Sequence, residues 1–473
     1  MLTKKLQQFT LLVLALFTFS VANAQVLEYV GMEADSLEGR PYYSTMSSDG
    51  VHFYICNGFP AEGKVLHYVR NISTGTLVYA NSYKDGVNAG NLMEAPYKLM
   101  LSPDQRHAYV IAPMDSSIVS FNRNQATGAL TYTGALQHGV GGVNGMLFPF
   151  DATISNDGKN IYVADRNGDA ISVFSRDSAS GQLTYLEHHQ DGVAGVDGLN
   201  YVQYVKVSND GKHVYASSRD DAAIAIFSRN TTTGALTYVG KYDFPTTTTV
   251  VTAGGIDVQT NNDSTICALN PGGSLLVLNR DINTGMLNLR QELVQGQGGI
   301  TGVQKNHIAI SKVKPFIYLT SFQGWSVYEF DNTGMISEMQ VSSGTSHSVA
   351  AGISPDDKFI YFGTNTDTTI QIYQDTTVRT VISSIIDLET KKELSVTRIY
   401  PNPSQGLVTI ELADATLNGV VFMQLFDVSG RTLWSGNAQA SNGQLELDWS
   451  TLAEGLYYIR VGDEQSLPLY LKR

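Results

Sequence analysis

The sequence predicts an all-β protein: a seven-bladed β-propeller closed by an N-terminal strand, followed by a small C-terminal β-sandwich. Three observations predict this fold. A unit of four short strands recurs about every 50 residues, further strands follow the last unit, and the composition favours sheets. The chain has 473 residues, among them 44 glycines and 25 tyrosines, and only 16% are charged. Such a composition suits strands and turns better than helices.

A short turn marks each repeat. Turns such as "SSDG", "SPDQ" and "SNDG" are followed by a strand of the type "IYVA", a third strand such as "AISVFSR" and a fourth such as "ALTYVG". The anchors of these turns are Ser47, Ser102, Ser155, Ser208, Asn261, Ser311 and Ser354. Four strands per unit, repeated seven times, predict seven blades stacked around an axis.

The ends of the repeat array predict how the ring closes. The seventh unit stops after its third strand, "TTIQIYQ", near Gln374. The missing fourth strand is present at the other end of the array, where "QVLEYVG" (25–31) matches "GALTYVG" (234–240). We therefore expect the propeller to span residues 25–374 and the N-terminal strand to complete the last blade, which removes two exposed sheet edges.

The first 24 residues predict a secretory signal peptide. Lys4 and Lys5 precede an apolar run over 9–21, and "ANA" (22–24) is a small-residue cleavage pattern. The run is too short for a comfortable membrane span, and we expect no transmembrane segment. Cys56 and Cys267 fall in non-neighbouring units, so we expect buried thiols rather than a disulfide.

The repeats end before a second domain begins. Residues 375–397 lack the repeat and predict a linker, whereas residues 398–473 alternate like the strands of a small β-sandwich. The motifs "YPNP", "LFDVSGR" and "GLYYIRV", with a basic C-terminus, resemble the C-terminal sorting domain of the type IX secretion pathway. The resemblance implies that the type IX secretion machinery is a partner and that the protein is secreted or held at the outer-membrane surface.

The repeats themselves have a family likeness. The unit "SNDGKNIYVADRNGDAISVFSRDSASGQLTYL" is similar to the repeats of seven-bladed lactonase-type propellers, a group that includes 6-phosphogluconolactonase. The likeness covers essentially residues 26–374 and implies the propeller fold. As an activity it implies hydrolysis of a sugar lactone.

The loop "DGVAGVDG" (191–198) allows several interpretations: a phosphate loop, a calcium loop or a turn. Related loops are "HGVGGVNG" (138–145) and "QGQGGITG" (295–302), and they replace its two acids. Neither the lysine nor the helix of a phosphate loop follows, and one loop supplies too few oxygens for calcium. We expect glycine-dependent turns, no metal and no cofactor.

Aligning the first strand of each unit predicts a ring of mainly polar residues at its upper end. Counting four residues back from each anchor gives Tyr43, Lys98, Asp151, Tyr204, Asp257, His307 and Ala350. Arg166 and Arg219, in equivalent loops between second and third strands, are expected at the rim, where they can bind carboxylate or phosphate. Water alone can also fill such a channel.

These residues leave more than one function open. We expect an exported propeller that binds a small polar ligand, a glycan or a protein at the face carrying these loops. The alternative is a lactonase in which His307, Asp151 or Asp257 activates water and Lys98, Arg166 or Arg219 stabilises the oxyanion. A third possibility is a metal-dependent gluconolactonase-like propeller, which requires several carboxylates that converge on one metal ion. The net charge of −13 argues against nucleic acid as a partner.

Overall fold

The computed structural model describes the chain in segments and is all-β throughout them. The described residues are 26–33, 40–58, 63–245, 256–258, 264–270, 273–303, 307–311, 313–321, 324–342, 348–364, 369–376, 396–412, 419–427, 432–450, 452–461 and 467–472. The chain divides into two compact units, residues 1–381 and 382–473. The expected signal peptide lies outside the described residues. Among those residues, no helix is long and apolar enough to cross a membrane.

The first unit contains seven blades of four strands. The first strands are β2 (Arg40–Met46), β6 (Lys98–Leu101), β10 (Pro149–Ile154), β14 (Val202–Val207), β18 (Ile256–Val258), β22 (His307–Ile310) and β26 (Ser348–Ile353). The second strands are β3 (His52–Gly58), β7 (His107–Ala112), β11 (Asn160–Asp165), β15 (His213–Ser218), β19 (Thr265–Asn270), β23 (Phe316–Ser321) and β27 (Phe359–Thr364). The third strands are β4 (Lys64–Arg70), β8 (Ser117–Arg123), β12 (Ala170–Arg176), β16 (Ala223–Arg229), β20 (Ser274–Arg280), β24 (Gly324–Phe330) and β28 (Ile370–Asp375). The fourth strands are β5 (Leu77–Lys84), β9 (Leu130–Gln137), β13 (Leu183–Gln190), β17 (Leu236–Asp243), β21 (Leu287–Val294), β25 (Ile336–Val341) and β1 (Leu27–Glu33).

Each blade is an antiparallel sheet in the order first, second, third, fourth strand, and the seventh takes its fourth strand from the N-terminus. There β1 pairs with β28, with Tyr29 opposite Tyr373 and a bulge before Gly31 opposite Ile372. The same bulge occurs in blade 4, where Tyr238 and Gly240 of β17 face β16. The predicted strand exchange and its register are therefore confirmed.

The first strands form the inner wall of the ring. Each contacts the first strand of both neighbouring blades, and β26 contacts β2 so that the circle is complete. The second strand of each blade is buried on both of its faces. Apolar side chains therefore fill the spaces between neighbouring blades. Cys56 and Cys267 are buried, unbridged members of this core, as expected.

An arginine–tyrosine contact joins most pairs of neighbouring blades. Arg176, at the end of a third strand, donates from Nε to Tyr109 Oη of the preceding blade at 2.8 Å. Its NH2 group bonds Asp104 at 2.9 Å and His107 Nδ1 at 2.7 Å. The equivalent pairs, with Nε–Oη distances of 2.6 to 2.9 Å, are Arg70–Tyr361, Arg123–Tyr54, Arg229–Tyr162 and Arg280–Tyr215.

Two interfaces between blades lack this arginine–tyrosine contact. In each of them, residues from both blades form a different contact. Between blades 5 and 6, Cys267 stands at the tyrosine position and Phe330 at the arginine position, and both belong to one apolar cluster. Between blades 6 and 7 the charges are exchanged. Asp375 occupies the arginine position and pairs with Lys314 Nζ of the other blade at 2.9 Å. Paired replacement avoids a buried charge without a partner.

The second unit has two sheets around one core. One sheet has the order β29 (Val396–Tyr400), β30 (Leu407–Leu412), β33 (Gln444–Asp448); the other has the order β32 (Thr432–Ala440), β31 (Gly419–Asp427), β34 (Gly455–Val461), β35 (Leu467–Leu471). Val408 and Ile410 of one sheet join Met423 and Leu425 of the other in a single apolar cluster. This is the arrangement of a small sandwich. Of the expected linker 375–397, Asp375 lies in β28, Val396 begins β29, and 377–395 lie outside the described residues.

Candidate functional site

The loops from second to third strands and from fourth to first strands lie on one face of the propeller, here called the top face. The stretch 191–198 joins β13 to β14 and is such a loop, as expected. Gly192, Gly195 and Gly198 have φ values of 69°, 82° and 95°, a region that residues with a Cβ avoid. The glycines of this motif therefore serve the turn.

The strand register places six of the seven predicted ring positions at one level. Tyr43, Lys98, Asp151, Tyr204, His307 and Ala350 all pair with the same position of their second strands. In four of these blades a β-bulge directly precedes the position, and Phe150 is one of the bulged residues. Bulges re-aim the following side chain, which favours convergence on the axis.

Asp257 is not at this level, so its place in the predicted ring is wrong. It pairs with Cys267, which is the register of Lys206 and Tyr215 in the preceding blade, two residues closer to the bottom face. Six residues separate β18 from β19, one more than in the other blades, and Asn261 is not equivalent to the other anchors; counting back four residues from it stops two residues short of the ring level. In blade 5 the position equivalent to Tyr204 of blade 4 is residue 255, which lies outside the described residues.

Five of the ring residues contact one another across the axis, and we call Tyr43, Lys98, Asp151, Tyr204 and His307 the axial ring. Lys98 Nζ lies 2.5 Å from Asp151 Oδ1 and 5.0 Å from the centroid of the Tyr43 ring. Asp151 Oδ2 also accepts from Val205 N at 3.0 Å. His307 meets Tyr43 and Tyr204 edge-on, with ring centroids 5.1 and 5.8 Å apart.

Burial decides the charge states of the axial ring. Desolvation lowers the pKa of His307 to about 4; nearby Lys98 lowers it further and Asp151 opposes the shift. Desolvation, reinforced by the charge of Asp151, raises the pKa of Tyr43 and of Tyr204 well above the usual range of a phenol. At neutral pH the two phenols and the imidazole of the ring are therefore uncharged.

Several polar atoms of this level have no hydrogen-bond partner among the described residues. In the described part of the chain, no hydrogen bond engages the hydroxyl of Tyr43 or Tyr204 or the imidazole of His307. The hydroxyl of Tyr97, whose ring centroid lies 6.0 Å from that of Tyr43, likewise has no hydrogen-bond partner among the described residues. Buried polar groups normally have partners, so these atoms can bond water or a ligand.

Around the axial ring lies a group of aromatic side chains that the sequence interpretation missed. This aromatic belt consists of Tyr42, Tyr97, Phe148, Phe150 and Tyr201. Tyr42 stacks on Tyr97 at 4.3 Å, and Tyr97 packs on Phe150 at 4.8 Å. The sequence does contain a pattern that indicates this belt, because blades 1 to 3 each have an aromatic residue directly before the ring position.

The two predicted rim arginines both lie on the aromatic belt. The Arg166 guanidinium is 4.0 Å from the Phe148 ring centroid and 5.1 Å from those of Phe150 and Tyr201. Arg219 stacks on Tyr201 at 3.5 Å and pairs with Asp220 at 2.6 Å. Arg166 has no carboxylate partner among the described residues; the only hydrogen bond of its side chain there is a long one to Asn167, at 3.3 Å.

Carboxylates meet at a second place on the top face. Oxygens of Asp191, Asp197 and Asp221 lie within 4.8 Å of one another. Lys241 Nζ stands 3.0 Å from Asp197, and backbone amides of Leu199 and Asn200 donate to Asp191 and Asp221. The acids of the motif thus have protein partners, and the absence of a metal stays a prediction.

Two parts of the chain match known families. Residues 94–251 and 190–303 match the family described as "Lactonase, 7-bladed beta-propeller". Residues 398–469 match the family described as "Secretion system C-terminal sorting domain". Both resemblances drawn from the sequence are confirmed. An uncharacterized protein of Staphylococcus epidermidis is 23% identical over 293 residues, which cover 60% of this chain and 80% of that protein.

Solved structures share the propeller. A candidate 6-phosphogluconolactonase of Bacteroides uniformis superposes with a TM-score of 0.57 at 17% identity, covering 69% of this chain and 93% of that one. A periplasmic gluconolactonase of Pseudomonas aeruginosa gives a TM-score of 0.51 at 17% identity, covering 63% and 84%. At these identities the likeness concerns the fold alone.

Proposed function

For a lactonase-type propeller that carries a secretion sorting domain, we propose the role of an exported binding module whose top face takes up a small, hydroxylated carboxylate. The arginine at the rim carries the proposal. Arg166 is fixed by three aromatic rings and has no acidic partner among the described residues. An oriented guanidinium of this kind suits bidentate recognition of a carboxylate.

The axial ring supplies the rest of the recognition. The hydroxyls of Tyr43, Tyr97 and Tyr204 are donors that stay protonated at neutral pH, because burial raises the pKa of all three. The neutral His307 can accept as well as donate. Such groups suit the hydroxyls of a sugar acid, while the aromatic belt covers its apolar face.

Delivery follows from the C-terminal unit. The match of residues 398–469 to a secretion sorting domain supports export. We propose that the type IX machinery recognises this unit and leaves the propeller in the medium or at the outer-membrane surface. There the top face meets ligands outside the cell.

A lactonase remains the second candidate, favoured by the family match and by a Lys98–Asp151 ion pair close enough to His307 to influence the pKa of its imidazole. Two features weigh against it. An imidazole with a pKa of about 4 is a weak base at neutral pH, and Asp151 already accepts from Lys98 and Val205. Binding without turnover is therefore the better supported function.

Calorimetry on the purified protein tests the proposal with gluconate, glucuronate and the neutral methyl glucoside. We expect the two acids to bind, the glucoside to bind at least tenfold more weakly, and R166Q to weaken acid binding about 10- to 100-fold, as loss of a charge-assisted hydrogen bond implies. R106Q removes an equally charged but exposed arginine and should change nothing. Equal effects of the two substitutions would refute the site.

The same samples separate the two functions. With gluconolactone as substrate, a binding module gives only the rate of hydrolysis seen in buffer. Turnover that is lost in both H307A and D151N would establish the lactonase instead.

A further inference from the structure

A pocket of about 650 Å³ lies on the axis at the face opposite the top face. Its walls come from the lower halves of first strands in blades 1, 2, 6 and 7 and from the turns that follow first strands. The turn residues Ser48, Pro103, Asn156 and Pro355 stand at its mouth and are exposed. We call it the basal pocket. Its volume falls in the range of small-molecule sites.

Small residues in two blades create the space. Ala309 of β22 and Gly352 of β26 line the pocket, at a position where blades 1 to 4 carry the larger residues Thr45, Met100, Thr153 and Lys206. A Cβ at Gly352 would come within 2.8 Å of the Phe53 ring and 2.9 Å of Ser44 Oγ, so a larger residue there would displace its neighbours. His307 lies two residues from Ala309, about 7 Å further along the strand. The axial ring and the basal pocket are therefore separate levels of one axis.

The pocket lining is almost uncharged although acidic turns surround it. Asp104 and Asp157 point away and pair with Arg176 and Arg229 of neighbouring blades at 2.9 and 3.0 Å. Asp357 lines the pocket but is buried, and its carboxylate accepts from the Ser311 hydroxyl and from the backbone amides of Val313 and Lys314. Within the described part of the chain, no cationic side chain lines the pocket.

The pocket lining also contains hydrogen-bonding groups. Ser44 Oγ is buried and has no partner within the described residues. Asn156 donates from Nδ2 to Asn209 O at 2.8 Å and keeps Oδ1 as an acceptor in the described part of the chain. Apolar side chains, among them Met46, Leu101 and Ile310, form the remainder. A charged ligand would lose its hydration here without compensation.

We propose that the basal pocket is a second binding site, which takes an uncharged small molecule with both hydroxyl groups and apolar surface, the chemistry of a neutral sugar or cyclitol. It does not depend on the top-face site. Ser44, Ser48 and Asn156 bond the hydroxyls, and the aliphatic side chains cover the apolar surface.

Saturation-transfer NMR on the full chain tests the basal pocket with methyl β-glucopyranoside, methyl β-xylopyranoside and myo-inositol. Glucuronate and glucosamine serve as charged counterparts, measured on R166Q so that the top face does not contribute. We expect saturation of at least one neutral probe, and at least tenfold weaker binding of the charged ones at the same site. S48W places an indole at the exposed mouth and should abolish the neutral signal.

S178W is the matched control, because Ser178 is an exposed turn residue at the outer part of the same face. It should retain the signal. The proposal is overturned if no neutral probe is saturated, if the charged probes bind equally well, or if S48W and S178W behave alike. Since R166Q leaves this pocket intact, failure here and failure of the top-face site are distinguishable.

Discussion

His307 illustrates how position determines the chemistry of one side chain. Sequence reasoning treated it as a possible base, because an ordinary histidine titrates near neutrality. In the axial ring, desolvation disfavours the imidazolium and brings the pKa to about 4. The side chain is therefore neutral wherever the protein meets a pH above 5, and it acts through hydrogen bonding and ring contacts.

We expect an NMR titration of the His307 imidazole to give a midpoint near pH 4 in the folded protein. Folded His307 binds its proton less readily than the unfolded chain does, so its contribution to stability is complete above about pH 6.5 and declines as the pH falls toward 4. K98M should raise the midpoint, because Lys98 disfavours the imidazolium, and D151N should lower it. A midpoint near 6.5 would contradict the burial argument.

At the scale of elements, the contacts between blades are the repeated unit of stability. Arg176 and Arg229 each bond a tyrosine, an acidic turn and a backbone carbonyl at once. Each of them spans two blades and therefore fixes the third strand of one blade against the first turn of its neighbour. The interface of Cys267 and Phe330 does the same work with apolar packing.

R176M should reduce the free energy of unfolding by about 2–3 kcal/mol, since it leaves Tyr109 and the partly exposed Asp104 without their charged donor. Urea denaturation followed by tyrosine fluorescence measures this change. R106M removes an exposed arginine and should stay within about 0.5 kcal/mol of the parent. Equal stability of both variants would show that these contacts are not structural.

Prediction from the sequence was correct for some of these elements and wrong for others. Regular spacing placed the blades, the strand exchange and the level of Tyr43, Lys98 and Asp151 correctly, because each unit repeats the same strand lengths. Asp257 was misplaced because one turn differs in length. The aromatic belt and the basal pocket were missed, since contacts across an axis depend on bulges and small residues that a linear alignment does not reveal.

On the scale of the whole molecule, the propeller depends on a strand from the far end of its sequence. Val26 and Leu27 are buried, and β1 covers the edge of β28. Starting the protein at residue 34 should therefore reduce stability by about 3–6 kcal/mol, the value of two buried aliphatic side chains, and expose an edge strand. Thermal unfolding and light scattering, compared with a protein starting at residue 25, measure both effects. Unchanged stability would contradict closure by β1.

The pairing of β1 with β28 also sets an order of events in the life of the protein. The strand that leaves the ribosome first cannot find its partner until Asp375 has been made, nearly 350 residues later. The ring is incomplete for almost the whole of synthesis, and an unfinished chain has an open last blade. Under the export proposed above, closure would be postponed further, until the chain had crossed the inner membrane. Late closure would then leave the chain time to be threaded before it becomes compact.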